Sequence, residues 1–192
     1  MIELRTAAFE DSAFIARMVM MALHISEGDN PRLYHHMVEL VEDEHTLYHW
    51  TRAVIATSSD LSDYGELVPV GVCLAYDGVD YHERREYSFS FVCADGRPVS
   101  ENNGDLLTQP DESGVGEYYV DSLAVIPECR GKGIGRMLLQ DSLKRAAEKN
   151  LMPTILVDPN NEPALTLYKS VGFEYSEEMR VFGENYHKYC VL

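Results

Sequence analysis

Apolar positions recur at helical spacing in two stretches near the start of the chain. Ala13, Ile15, Met18, Met21 and Ala22 follow Asp11 and Ser12, either of which suits an N-cap, and they predict a first helix. Gly28-Asp29-Asn30-Pro31 then breaks the pattern, and Pro31 suits the opening of a second helix through Leu33, Met37, Leu40 and Val41, reaching towards Leu47. Shorter β-branched and apolar runs at 2–6, 52–57 and 68–76 read as strands. Residues 117–125 form the clearest strand in the chain. After it come a helix over 134–149, a buried strand at 154–157 and a short helix at 162–171. A terminal strand pair, 173–182 and 186–191, turns around Gly183-Glu184-Asn185. Strands alternate with helices in this second half, so the class is mixed α/β.

Residues 78–116 break the periodicity. Gly78, Gly96, Pro98, Asn102-Asn103-Gly104, Pro110, Gly114 and Gly116 punctuate them, so they read as a long loop or insertion, with a helix over 81–91. At 192 residues, the chain otherwise suits one domain spanning 1–192.

Composition narrows the classes. A hydrophobic fraction of 45% supports an ordinary core. No apolar run approaches the ~20 residues that span a bilayer. Met1-Ile2-Glu3-Leu4-Arg5 lacks the basic and apolar regions of a signal peptide, so a cytoplasmic location is expected. Cys73, Cys93, Cys129 and Cys190 are widely separated and form no C-x-x-C pair, so they read as free buried thiols. His35, His36, His45 and His49 are not spaced to bring metal ligands onto one helix face, and no metal is expected. The formal net charge of −16 argues against nucleic acid or an anionic membrane as partner.

Against that acidic background, Arg130, Lys132, Arg136, Lys144, Arg145 and Lys149 cluster in one segment. Lys144, Arg145 and Lys149 read as the solvated face of a helix. Arg130 and Lys132 lie within Ile126-Pro127-Glu128-Cys129-Arg130-Gly131-Lys132-Gly133-Ile134-Gly135, a glycine-rich turn between strand and helix. Such a turn suits an anion, because the first amides of a helix lack internal acceptors and its dipole favours negative charge. Gly131, Gly133 and Gly135 are spaced G-x-G-x-G, with Leu138 where a dinucleotide fingerprint needs its third glycine. No nucleoside-triphosphate loop of the form G-x-x-x-x-G-K-[ST] is present. Glu101, Asp105, Asp111, Glu112, Glu117, Asp121 and Glu128, with no basic residue among them, read as a solvated acidic loop.

Arg130-x-x-Gly133-x-Gly135 resembles the R/Q-x-x-G-x-G/A signature of the GCN5-related N-acetyltransferase superfamily, and Leu123-Ala124-Val125-Ile126-Pro127 resembles the strand ending before it. Asn161-Glu162-Pro163-Ala164-Leu165-Thr166-Leu167-Tyr168, followed by Gly172-Phe173, resembles the family's N-x-x-A-x-x-L-Y…G-F segment. Close matching covers residues 117–175. The resemblance implies a central mixed, mostly antiparallel sheet flanked by helices, carrying an irregular insertion. It also implies acetyl-CoA as co-substrate, with the acetyl group passing directly to a small-molecule amine or a peptide lysine. A non-catalytic acyl-CoA sensor of the same fold is the alternative, and a homodimer is compatible with either.

Carried over by position, Leu123 and Val125 offer main-chain contacts to the pantetheine arm, and Gly131, Lys132, Gly133, Ile134 and Gly135 hold the pyrophosphate beside Arg130. Asn161 contacts the cofactor arm, and Tyr168 protonates the departing thiolate. Glu117, Tyr119 and Asp121 share a strand face by alternation, which makes Asp121, ahead of Glu117, the expected acceptor of the amine's proton. Cys129 has no motif-placed base beside it and is not expected to act as a nucleophile. The acceptor side in this family falls here on His24, Glu27, Asp29, Tyr34, Glu184, Asn185 and Tyr186, with Arg32 and Lys188 close in sequence.

Overall fold

Seven strands form one sheet in the order β1-β2-β3-β4-β5-β7-β6. They are β1 (Ile2–Thr6), β2 (Ala53–Ser58), β3 (Val68–Asp77), β4 (Glu117–Val125), β5 (Met152–Val157), β6 (Glu174–Val181) and β7 (Glu184–Cys190). Neighbours run antiparallel except β4 and β5, which are parallel. The computed structural model describes residues 1–25, 28, 31–62, 65–89, 109–181 and 183–192. The helices among them are α1 (Ser12–Ala22), α2 (Pro31–Glu42), α3 (Tyr81–Phe89), α4 (Ile134–Lys149) and α5 (Glu162–Ser170).

The sheet separates two cores. Ile15, Met18 and Val19 of α1, with Met37, Leu40 and Val41 of α2, pack with Ile55, Val72, Leu74 and Tyr119 on one face. Leu138, Leu139 and Ala146 of α4, with Leu165 and Tyr168 of α5, pack with Val54, Val70, Val120 and Ile155 on the other. Central strands covered on both sides carry near-continuous apolar runs, which is why β2 and β3 are legible as strands. Among the described residues, no helix is long and apolar enough to cross a membrane. Cys73, Cys129 and Cys190 are free and buried, while Cys93 lies outside the described residues.

Several boundaries differ from expectation for local reasons. Asp11 occupies the N-cap position of α1 without capping it. Its carboxylate instead takes a bidentate pair from Arg5 at 2.6 and 2.8 Å and the Ala8 amide at 2.8 Å. The second helix ends at Glu42, short of Leu47, where the Thr46 hydroxyl donates to the carbonyls of Leu40 and Asp43 at 2.5 and 2.9 Å. Helix α4 ends where Asn150 turns left-handed (φ 55°) and the Leu151 amide reaches back 3.0 Å to the Ala146 carbonyl. In the stretch expected as a loop, Gly78–Asp80 is a 3-10 turn leading into α3, and residues 90–108 lie outside the described residues. Gly78 is required there, because a Cβ would lie 2.3 Å from the Ser113 hydroxyl and 2.4 Å from the Gly114 carbonyl.

Candidate active site

Strands β4 and β5 stay together only briefly. Glu117, Tyr118, Tyr119 and Val120 pair with Met152, Pro153, Thr154 and Ile155, and the ladder then stops. On its other edge β4 remains paired to β3 as far as Val125. Residues 121–125 therefore face β5 without a ladder partner, and a gap opens between adjacent parallel strands. Its closed end is braced by Lys188, whose ammonium lies 2.8 and 2.9 Å from the two carboxylate oxygens of Glu117. Thr154 also donates to Glu117, at 3.2 Å.

Asp121 is the first residue past the last paired position. The register of β4 against β3 slips here, from Leu74 opposite Ser122 to Ala75 opposite Val120, leaving Asp121 as the extra residue of a bulge. Tyr76 donates its hydroxyl to one Asp121 carboxylate oxygen at 2.6 Å, and Ser122 donates to the other at 2.8 Å. Burial nevertheless lifts the Asp121 carboxyl above its ordinary range, against the lowering pull of those hydroxyls and of Arg52. The Arg52 guanidinium stands 5.1 Å from the centroid of the Tyr76 ring.

Tyr168 lies on the opposite face, 8% exposed, its ring 6.1 Å from that of Phe173. Burial, helped by the nearby Cys73, pushes its phenol well above the usual value, so it stays protonated across the physiological range. The two expected catalytic side chains are thus on different sides of the sheet, with the gap between them.

The glycine turn leads from the open end of β4 into α4. Gly131 and Gly133 are left-handed (φ 75° and 81°), and a Cβ on either would point into open space. The first helical bond is from the Met137 amide to the Gly133 carbonyl at 3.1 Å, so the preceding amides have no acceptor within the helix. Gly135 differs: its Cβ would lie 3.1 Å from Leu167, so this glycine also lets α5 pack against α4. Ile134 buries its side chain in the core, leaving its amide to the turn.

The basic residues are less available than the sequence suggests. Arg130 folds back to donate to the Val125 carbonyl at 3.0 Å, and Lys132 pairs with Asp60 at 2.8 Å. Leu123 and Val125 stand opposite Cys73 and Gly71 of β3; Leu123 and the Val125 amide keep their β5-facing edge, while the Val125 carbonyl is the one that Arg130 holds. Asn161 caps α5, its side-chain oxygen accepting from the Ala164 amide at 3.2 Å, which leaves its amide nitrogen for a ligand.

Other expectations change. Glu117 was expected beside Asp121 as a proton acceptor but is committed to Lys188, which is only 7% exposed. The solvated acidic loop dissolves into partners: Asp111 with His82 and Arg85, Glu112 with Tyr119, Glu117 with Lys188, and Asp121 with Tyr76. Glu101 and Asp105 lie outside the described residues, as do Glu27 and Asp29. Lys144 and Arg145 pair along α4 with Glu148 and Asp141, as a solvated face does. Cys129 is fully buried. Sequence reasoning missed Tyr76, Arg52 and the role of Glu112, and the only trace of them was twelve tyrosines, several close to acidic positions.

A family model described as the acetyltransferase (GNAT) family matches residues 62–173. The chain belongs to this family. The match takes in the gap, the glycine turn and Tyr168, and acetyl-CoA is the family's co-substrate. Mycothiol acetyltransferases of Thermobifida fusca and Corynebacterium aurimucosum are 39% identical over 74 residues and 38% identical over 76. Those alignments cover 38% and 39% of this chain but 22% and 24% of theirs, so the chain spans less than a quarter of the length of these relatives. Among solved structures, an N-acetyltransferase from Staphylococcus aureus Mu50 superposes with a TM-score of 0.75 at 21% identity, covering 98% of this chain and 100% of that one. The ribosomal-protein-S18-alanine N-acetyltransferase of Escherichia coli does so at 0.57 and 14%, covering 100% and 93%. At these identities the likeness is one of fold.

Proposed function

We propose that this protein transfers the acetyl group of acetyl-CoA to a primary amine, by direct attack of the amine nitrogen with both substrates bound. The observation that carries the reading is the abrupt end of β4–β5 pairing at Val120 and Ile155, on a strand that leads through a 3-10 turn at Pro127–Cys129 into the glycine-rich turn before α4. Acetyl-CoA supplies the activated acetyl group as a thioester. The amides from Gly131 to Gly135 hold its phosphates, with Arg130 and Lys132 adding positive charge, and the exposed edge of Leu123 and Val125 aligns its arm beside the Asn161 side-chain amide.

Asp121 takes the proton of the attacking ammonium, directly or through water. Deprotonating an amine of pKa near ~10 costs ~4 kcal/mol at neutral pH, and a carboxylate raised by burial is a better acceptor than an ordinary one. Tyr168 serves the departing sulfur. A thiol ionises near ~8.5, below a phenol that burial has raised, so hydrogen-bond donation to the developing thiolate is favoured over full proton release. The bond from the amine nitrogen to the acetyl carbon forms as the carbon–sulfur bond breaks; the second proton on nitrogen passes to the sulfur, which Tyr168 hydrogen-bonds meanwhile, and CoA leaves as the thiol.

The test is a thermal shift with CoA alongside release of free thiol from acetyl-CoA over a panel of amines. A higher melting midpoint with CoA, and thiol release that depends on an amine, are expected. A CoA shift without release for any amine would instead favour an acyl-CoA sensor, and no shift at all would sink the reading.

A further inference from the structure

Two carboxylates meet the tyrosines on the α1/α2 face, and they come from different parts of the chain. Asp121 belongs to the bulge of β4, whereas Glu112 precedes that strand. The Tyr119 hydroxyl donates to Glu112 at 2.5 Å, and the Tyr76 hydroxyl donates to Asp121 at 2.6 Å. The rings of Tyr76 and Tyr119 meet edge-on with centroids 5.9 Å apart, and Tyr81 packs on both at 6.3 and 6.1 Å. One aromatic cluster therefore holds both acids in one neighbourhood, beside the point where β4 leaves β5.

Among the described residues, no Lys or Arg closes an ion pair with either acid. Arg52 is stacked on Tyr76, Arg85 is bonded to Asp111 at 2.9 Å and to the Gln109 carbonyl at 2.8 Å, and Lys188 is held by Glu117. Burial keeps the Glu112 carboxyl above its usual range and the charge of Asp121 pushes it the same way, against the weaker lowering pull of the Tyr119 and Tyr81 hydroxyls and of the Arg85 charge. Burial raises the Tyr48 phenol and the charges of Asp121 and Glu112 add to it, so the field of the pair extends towards the residues that precede β2. An arriving cation relieves this repulsion, and an arriving anion adds to it.

We infer that Glu112 is a specificity-determining residue: beside Asp121, it selects an amine whose reacting nitrogen has no carboxylate next to it. This rests on the acetyl-transfer reading above. An α-amino acid brings its own carboxylate two bonds from the nucleophile, into the field of both acids, and like charges cost most where water is scarce. A simple amine, or a lysine side chain whose nitrogen is remote from any carboxylate, meets no such penalty.

The experiment measures acetyl transfer to tyramine against tyrosine, agmatine against arginine, and tryptamine against tryptophan, with CoA binding followed on the same samples. In each pair the amine should be favoured by about tenfold or more in kcat/KM. Glu112→Gln still accepts the Tyr119 hydrogen bond but lacks the charge. It should narrow each gap by about tenfold, chiefly by raising KM for the amine, while KM for acetyl-CoA stays put. Glu112→Asp should keep most of the discrimination. Equal use of amine and amino acid, an unchanged gap in Glu112→Gln, or a parallel rise in KM for acetyl-CoA would overturn the assignment. Transfer to neither member of any pair, with the CoA shift intact, would overturn it while leaving the acetyl-CoA reading standing. Loss of the CoA shift as well would remove both.

Discussion

Lys188 of β7 reaches past β5 to Glu117 of β4, its ammonium 2.8 and 2.9 Å from the carboxylate oxygens, and so ties three strands together at the closed end of the gap. The side chains are 9% and 17% exposed. A pair this sheltered behaves more like a buried one than like a surface one worth at most ~1 kcal/mol. Removing a single partner leaves the other charge uncompensated, so Lys188→Ala or Glu117→Ala should each cost about 3 kcal/mol of stability. Lys188→Met with Glu117→Leu together should cost less than either alanine. Urea melts measure this, and additive losses in the double variant would show that the two groups do not act as a pair.

The glycine turn makes two glycines separable. Gly133 is left-handed with open space at its Cβ, whereas Gly135 sits against Leu167. Gly133→Asp should abolish the CoA-induced thermal shift through charge at the phosphate position, at a backbone cost of only about 1–2 kcal/mol. Gly135→Asp should abolish the shift and also lower the melting midpoint of the free protein, since α5 must move away. Differential scanning fluorimetry with and without CoA reads both quantities. Undiminished CoA affinity in Gly133→Asp would remove the turn from the binding site.

For Tyr168, loss of the hydroxyl with the ring retained isolates the donor. Tyr168→Phe should lower kcat by about 10²-fold and leave KM for acetyl-CoA nearly unchanged. Because burial raises this phenol, the wild-type rate should show no alkaline limb from its ionisation below pH 10. Unaltered turnover in the Phe variant would take the tyrosine out of the reaction.

Elements with a strong period or a strict backbone demand were readable from the sequence. The bounds of α4 follow from Gly133 at one end and Asn150 at the other, and β1 and β4 matched their apolar runs. The cofactor half of the site was legible because it is built mainly from backbone, so its requirements appear as glycines at fixed spacing. The acceptor half is built from side chains that meet only after folding. Tyr76 and Asp121 are forty-five positions apart, and Glu117 and Lys188 seventy-one. Alternation along β4 put Glu117 and Asp121 on one face, but it carries no information about Lys188, which neutralises the first and leaves the second.

That difference makes Asp121 the group whose titration should be visible. Its folded pKa lies above the unfolded value of about 3.9, because burial penalises the charge. The folded chain therefore holds this proton more tightly than the unfolded one. Ionised Asp121 costs stability at neutral pH, and the cost fades as pH falls through the raised folded pKa towards the unfolded value. Asp121→Asn removes the charge, and the Tyr76 and Ser122 hydroxyls can turn to donate or accept as needed. Its melting midpoint should exceed that of the wild type at pH 7 to 8, with the gap closing in acid. The same ionisation should shape the rate, since only the carboxylate accepts a proton. The wild-type kcat/KM should fall with acid along a limb centred above the ordinary carboxylate range, and because Glu112 shares the cluster the limb belongs to the pair. In Asp121→Asn that limb should disappear together with most of the activity. A less stable Asn variant at pH 7, or a wild-type rate with no acid limb above the ordinary carboxylate range, would show that Asp121 is a structural acid rather than the proton acceptor.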